Sequence, residues 1–159
     1  MKNEKIQISN NKTLKLTNVI TKEFDLQENE GLDKEIIKME NYIKNKGAQP
    51  IGPIVQYTTI GTCSETQDAK VVIKLLRQAN TFLHNVESPY SMEAVLRVKN
   101  CIYARFKGNE SKLKLAYDKI NITAFEEDIS LKGDSYTIFV ANNDGDLIAD
   151  VFMECENNE

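Results

Sequence analysis

The feature that most constrains this chain is a change in the spacing of its apolar residues, from two to between three and four and back again, that occurs twice. Between Thr13 and Phe24, the residues Leu14, Leu16, Ile20 and Phe24 share one parity, and Lys15, Thr17, Thr21 and Glu23 take the other. That is the period of a half-buried strand. From Glu28 to Lys46, Leu32, Ile36, Met39 and Ile43 recur at steps of four, three and four and place one apolar stripe on a helix. Gly47 suits the left-handed turn that ends helices. Pro50, Gly52 and Pro53 then punctuate, and Ile54 to Ile60 reads as a β-branched and aromatic strand. Ala69 to Gln78 fits a buried strand, although Val72, Leu76 and Ala79 are also spaced for a short helix; strand is favoured.

A second round begins after a connecting stretch, Asn80 to Ser91, that has no clear period. Ser91 to Val98 and Cys101 to Lys107 read as extended, and Gly108-Asn109 supplies a break and an N-cap. Leu113, Ala116, Tyr117, Ile120 and Ala124 then repeat at helical spacing. Tyr136 to Ala141 and Leu147 to Met153 are β-rich runs on either side of Asn142-Asn143-Asp144-Gly145-Asp146, whose Asp-Gly pair is a tight-hairpin signal. The expected fold is therefore α+β. Two β-α-β-β units, about 5–78 and about 91–155, are related by a pseudo-two-fold duplication within a single domain spanning 1–159, with an antiparallel sheet and helices on one of its faces. Two such units side by side are expected to leave a seam where another molecule binds.

At 159 residues the chain is long enough to bury a true core, since folding at this size removes roughly 70% of the unfolded surface from water. A net charge of −4 lacks the basic footprint of a duplex binder, so no direct nucleic-acid partner is expected. No run approaches a membrane span, and Met1-Lys2-Asn3-Glu4-Lys5 leads into no apolar signal region, which predicts a cytoplasmic protein. Cys63, Cys101 and Cys155 are far apart and without a C-x-x-C motif; they read as reduced thiols.

Catalytic and metal chemistry find few footholds. His84, the one histidine, sits in a loop with no nucleophile elbow beside it, and Cys101 in a strand reads as a small buried hydrophobe. Asp144 and Asp146 are explained by a hairpin turn better than by a calcium loop, so no metal is expected. Glu126-Glu127-Asp128 reads as a solvated acidic run. The scattered glycines form no phosphate cradle, and no cofactor is expected. The remaining candidates are aromatic. Tyr57, Tyr103, Tyr136 and Phe139 lie on predicted strands and would give a ligand or partner flat apolar walls, with phenol handles on the three tyrosines. The competing reading of these four is core and sheet-face packing.

Some segments resemble a known family. Gly52-Pro53-Ile54-Val55-Gln56-Tyr57 is similar to the Gly-Pro-to-Tyr second strand of the GyrI-like, or AraC-type effector-binding, fold. Tyr103-Ala104-Arg105-Phe106-Lys107-Gly108, followed by Leu113 and Ala116-Tyr117, resembles its strand, glycine turn and second helix. In ligand-binding members of that family a late strand supplies a buried glutamate for cationic drugs. Here Gly133 to Phe139 is the matching stretch, and Thr137 or Tyr136 stands where the acid would be. That departure argues against a cationic effector, because a buried cation without a countercharge is costly.

The whole chain, Lys- and Asn-rich and without a fused helix-turn-helix, also resembles a narrower family of Gram-positive accessory proteins of type VII (Ess) secretion. That resemblance implies a non-enzymatic cytoplasmic chaperone that binds a nuclease toxin and delivers it to the secretion machinery. The alternative implied by the wider fold is a stand-alone small-molecule sensor.

Overall fold

A computed structural model describes residues 6–24, 31–62 and 69–156. Cys63 and the Glu28–Glu30 start of the predicted first helix lie outside the described residues. The elements follow in the order β1 (Gln7–Phe24), α1 (Leu32–Asn45), β2 (Pro50–Thr62), β3 (Ala69–Ala79), β4 (Tyr90–Asn109), α2 (Lys114–Glu126), β5 (Ser135–Asn143) and β6 (Asp146–Glu154). This is an α+β protein built mostly of antiparallel sheet.

The chain divides into two compact units. One is continuous, Lys15–Arg97, and the other is split, combining Met1–Leu14 with Val98–Glu159. Both borders fall inside strands, β1 and β4, and not in linkers.

In the continuous unit β3 pairs antiparallel with β1 on one side and β2 on the other. Its helix-facing core joins Ile20, Leu75 and Ala79 of the strands to Met39 and Ile43 of α1, with Ala48 and Leu83. The predicted stripe is thus the buried stripe. The helix ends as Gly47 requires: Gly47 has φ 89, its N–H donates to Lys44 O at 3.0 Å, and the Ala48 N–H donates to Ile43 O at 3.2 Å. That pair of bonds is the Schellman arrangement, which satisfies carbonyls the helix leaves open. Charged side chains also tie α1 to the sheet. Lys22 of β1 donates to Glu35, and Arg77 of β3 donates to Glu40 at 2.8 Å. Tyr42 stacks on Tyr90 with ring centroids 4.1 Å apart.

In the split unit β6 lies between β4 and β5, antiparallel to both. Leu147, Ala149, Val151 and Met153 of β6, with Cys155 just past its end, point to the α2 side, where they meet Ala116, Ile120 and Ala124 of the helix and Ile102, Ala104 and Phe106 of β4. The alanines let helix and sheet approach closely. Asp144 (φ 52) and Gly145 (φ 90) both take positive φ and join Asn143 to its pairing partner Asp146. This is the two-residue hairpin expected from the Asp-Gly pair.

Three local features depart from the sequence reading. Ser91–Val98 and Cys101–Lys107 are one strand, β4, carried past Asn100 at φ 60. The first strand starts at Gln7, ahead of Thr13, and its alternation breaks at Asn18 (φ 50), so that Val19 and Ile20 are both buried. Asparagine tolerates the left-handed region better than most residues, which lets it interrupt a strand without ending it. The second helix is preceded by a 3-10 turn, Glu110–Lys112, which Asn109 caps by accepting from the Ser111 N–H at 2.9 Å. The segment Ala69–Gln78, where helix competed with strand, is strand.

Candidate functional site

The β6 strand alternates strictly. Its second parity, Ile148, Asp150, Phe152 and Glu154, is half-buried and lies on the sheet face turned away from α2. Residues directly opposite in an antiparallel pair project to the same face. Tyr103 of β4 and Tyr136 of β5 both lie opposite Phe152, so the three rings form one row across the sheet. Tyr103 and Phe152 are in contact, with centroids 4.9 Å apart and planes tilted by 46°. The next row has Arg105, Asp150 and Ile138.

These two rows are chemically joined. The Tyr103 hydroxyl donates to Asp150 Oδ1 at 2.8 Å, and Arg105 grips the same carboxylate with Nε at 2.8 Å and Nη2 at 3.0 Å. The bidentate fork holds the carboxylate in plane with the guanidinium. The Asp150 side chain is 13% exposed and that of Arg105 43%, so the acid is sunk and the base faces outward. The Asp150 hydrogen bond and charge hold the Arg105 guanidinium even further above its usual range. Burial, then the hydrogen bond to Asp150, raises the Tyr103 phenol, which stays a protonated donor at neutral pH.

The predicted residues fall in three places. Tyr103 and Tyr136 flank Phe152 on the face just described. Phe139 lies opposite Ala149 and packs against the α2-side core. Tyr57 belongs to the continuous unit, opposite Lys74, whose ammonium stands 5.8 Å from the Tyr57 ring centre. Thr137, aligned with the family's acid in the sequence, is 2% exposed on the α2 side and hydrogen-bonded to the Tyr117 hydroxyl. Asp150 is the residue that sequence reading missed. Its signal was a carboxylate in mid-strand on the polar parity of β6. The partner that gives it meaning is on β4, which is not adjacent to β6 in the sequence.

The nucleophile candidates are sheltered or isolated. Burial pushes the Cys101 thiol up to about 12, and its Sγ donates to Val98 O at 3.5 Å. It is a thiol and not a thiolate at neutral pH. His84 stands edge-on to Phe82 in the loop before β4, 4.9 Å between ring centres. Asp144 belongs to the β5–β6 turn, and Asp146 opens β6 opposite Asn143.

A scan against protein-family models finds no match, and neither does a search of the curated proteins. Among solved structures, a chain of the cryo-EM EcmrR-DNA complex (EcmrR-RPo) matches at TM-score 0.63 and 14% identity, over 96% of this chain and 58% of that one. The structure of SAV2435 bound to tetraphenylphosphonium matches at TM-score 0.45 and 9% identity, over 96% of this chain and 94% of that one. This chain therefore shares its fold with a region spanning a little over half of the EcmrR chain.

Proposed function

We propose that this chain is a non-enzymatic, small-molecule effector-binding protein of GyrI-like architecture. Its ligand rests on Tyr103 and Phe152 beside Tyr136, with its polar end at the Arg105–Asp150 pair. One observation carries the reading: an aromatic row and a paired acid and base share one sheet face. Aromatic pairs add about 0.5–1.5 kcal/mol beyond area burial, which favours a flat apolar body. Asp150 is already bound by a guanidinium and a phenol, so a lipophilic cation would have to displace Arg105 from it. A neutral or zwitterionic amphiphile fits better. The same reading takes the two β-α-β-β units as a pseudo-two-fold duplication in a single domain, supported by their identical element order and strand neighbours. It places the protein in the cytoplasm, consistent with the absence of any helix among the described residues long and apolar enough to cross a membrane.

The test is a thermal-shift screen of flat aromatic amphiphiles on the full chain, because a ligand selective for the folded state raises Tm. A hit should be lost in Tyr103→Ala. Arg105→Gln leaves Asp150 without its guanidinium and should tighten tetraphenylphosphonium binding by about tenfold. A screen with no hits, or a hit indifferent to Tyr103→Ala, overturns the proposal.

The export-chaperone reading is the second one, and none of the comparisons supports it. What favours it is an apolar strip on α2, where Leu115, Ile122 and Phe125 are 52%, 56% and 84% exposed. It stands or falls on whether a nuclease toxin co-purifies with this chain and loses that association when Phe125 becomes serine.

A further inference from the structure

The split unit holds a cavity of about 590 Å³ where β4 ends, β6 begins and the 3-10 turn starts. That volume lies within the roughly 300–1,000 Å³ of small-molecule sites. Its floor is apolar and fixed: Phe106 and Leu147 are 3% and 2% exposed. Gly108, at φ 150, lies beside the Phe106 ring, where a Cβ would make ordinary van der Waals contact, 3.5 Å from its Cζ. Leu115, from the first turn of α2, adds an exposed apolar wall. The rim runs around the strand ends: Lys112 stands on the helix side, and Lys107 and the single acid, Asp146, reach it from the other face of the sheet. Neither lysine forms a hydrogen bond or an ion pair among the described residues.

We propose that this cavity is a separate binding site for an amphipathic monoanion, a molecule with an apolar body and one carboxylate. It goes beyond the aromatic-face reading and uses none of its residues. Two ammonium groups against one carboxylate leave one positive charge at the rim, which a monoanion neutralises. A cation would add a third positive charge there. A neutral alcohol would offer an uncharged acceptor oxygen and leave the net positive charge of the rim uncompensated. A carboxylate between the lysines accepts charge-assisted hydrogen bonds, while its chain covers Phe106, Leu147 and Leu115.

The experiment uses the full chain, with decanoate as the probe and decanol and decyltrimethylammonium as controls. Calorimetry reads affinity, and backbone amide NMR shifts read location. Decanoate is expected to bind one to one and to shift amides from Phe106 to Leu115. Lys107→Gln/Lys112→Gln changes two exposed side chains and should weaken it by about tenfold. Leu115→Asp should abolish it. Equal binding of decanoate to the double variant, equal binding of decyltrimethylammonium to the wild type, or no amide shifts in this segment each overturn the inference. Shifts confined to Tyr103, Asp150 and Phe152 overturn it too, and in that case the aromatic-face reading survives.

Discussion

Each of the two units packs one helix on antiparallel strands, but their ion pairs stand on opposite sides of the sheet relative to that helix. In the continuous unit the acid–base pairs face the helix: Glu35 and Glu40 of α1 reach Lys22 and Arg77 on the strands. In the split unit the helix meets the sheet through alanine, isoleucine and valine, and its polar links among the described residues are hydrogen bonds without an opposite charge: Tyr117 to Thr137, Lys119 to the Ile6 carbonyl, and Asn10 to Glu127 at the helix end. Two of its acids, Asp150 paired with Arg105 and Glu154 paired with Lys132, stand on the other face. The lesson is that a helix packed closely on small residues needs no ionic tether. A charged pair freed from that duty is available to recognise a ligand.

Three substitutions break or sharpen this contrast. The largest effect is expected for Ile120→Ala. Ile120 is fully buried on the sheet-facing side of α2, and truncating it should cost about 2–5 kcal/mol in urea denaturation, as large-to-small core changes do. Next is Glu35→Ala, which leaves Lys22 without an acceptor at a partly buried site and should cost about 1–3 kcal/mol. If it costs as much as Ile120→Ala, the division between an ionic and an apolar helix seat is wrong. The smallest effect concerns the helix ends. α2 closes with the same bonds as α1, Asp128 N–H to Phe125 O at 3.3 Å and Ile129 N–H to Ala124 O at 2.8 Å, but with Asp128 at φ 55 in the place of Gly47. Asp128→Gly should therefore raise stability by about 0.5–1 kcal/mol, because a Cβ is strained in the left-handed region. An equal or lower melting temperature would show that the aspartate side chain compensates for the strain.

Those two helix ends also show what the sequence could and could not reveal. Gly47 announces a stop by its chemistry. Asp128, in an acidic run that reads as solvated surface, carries out the same turn without a legible mark. Strand and helix types came through because period depends on local spacing, and Asp144-Gly145 fixed the β5–β6 hairpin for the same reason. The pairing of β4 with β6 did not come through, since it joins strands separated by a helix and another strand. The site suffered accordingly. Tyr103 and Tyr136 were found as aromatic strand residues, yet Phe152 between them, and Asp150 with its two partners, acquire meaning only once the register is known. Phe139 illustrates the converse. An irregularity in pairing between Phe139 and Ala141 ends a stretch in which Tyr136 and Phe139 stand on opposite faces, three positions apart on a two-residue period.

The tight Asp144-Gly145 connection acts as a ratchet for everything beyond it. Were it lengthened by a residue and the register to slip, Asp150 would swing beneath the helix and Val151 would emerge on the face that carries Tyr103 and Arg105. Insertions and deletions at this tip therefore cannot reshape that face without dismantling the hydrophobic interior. Any diversification of this face must proceed by exchanging side chains at fixed chain length.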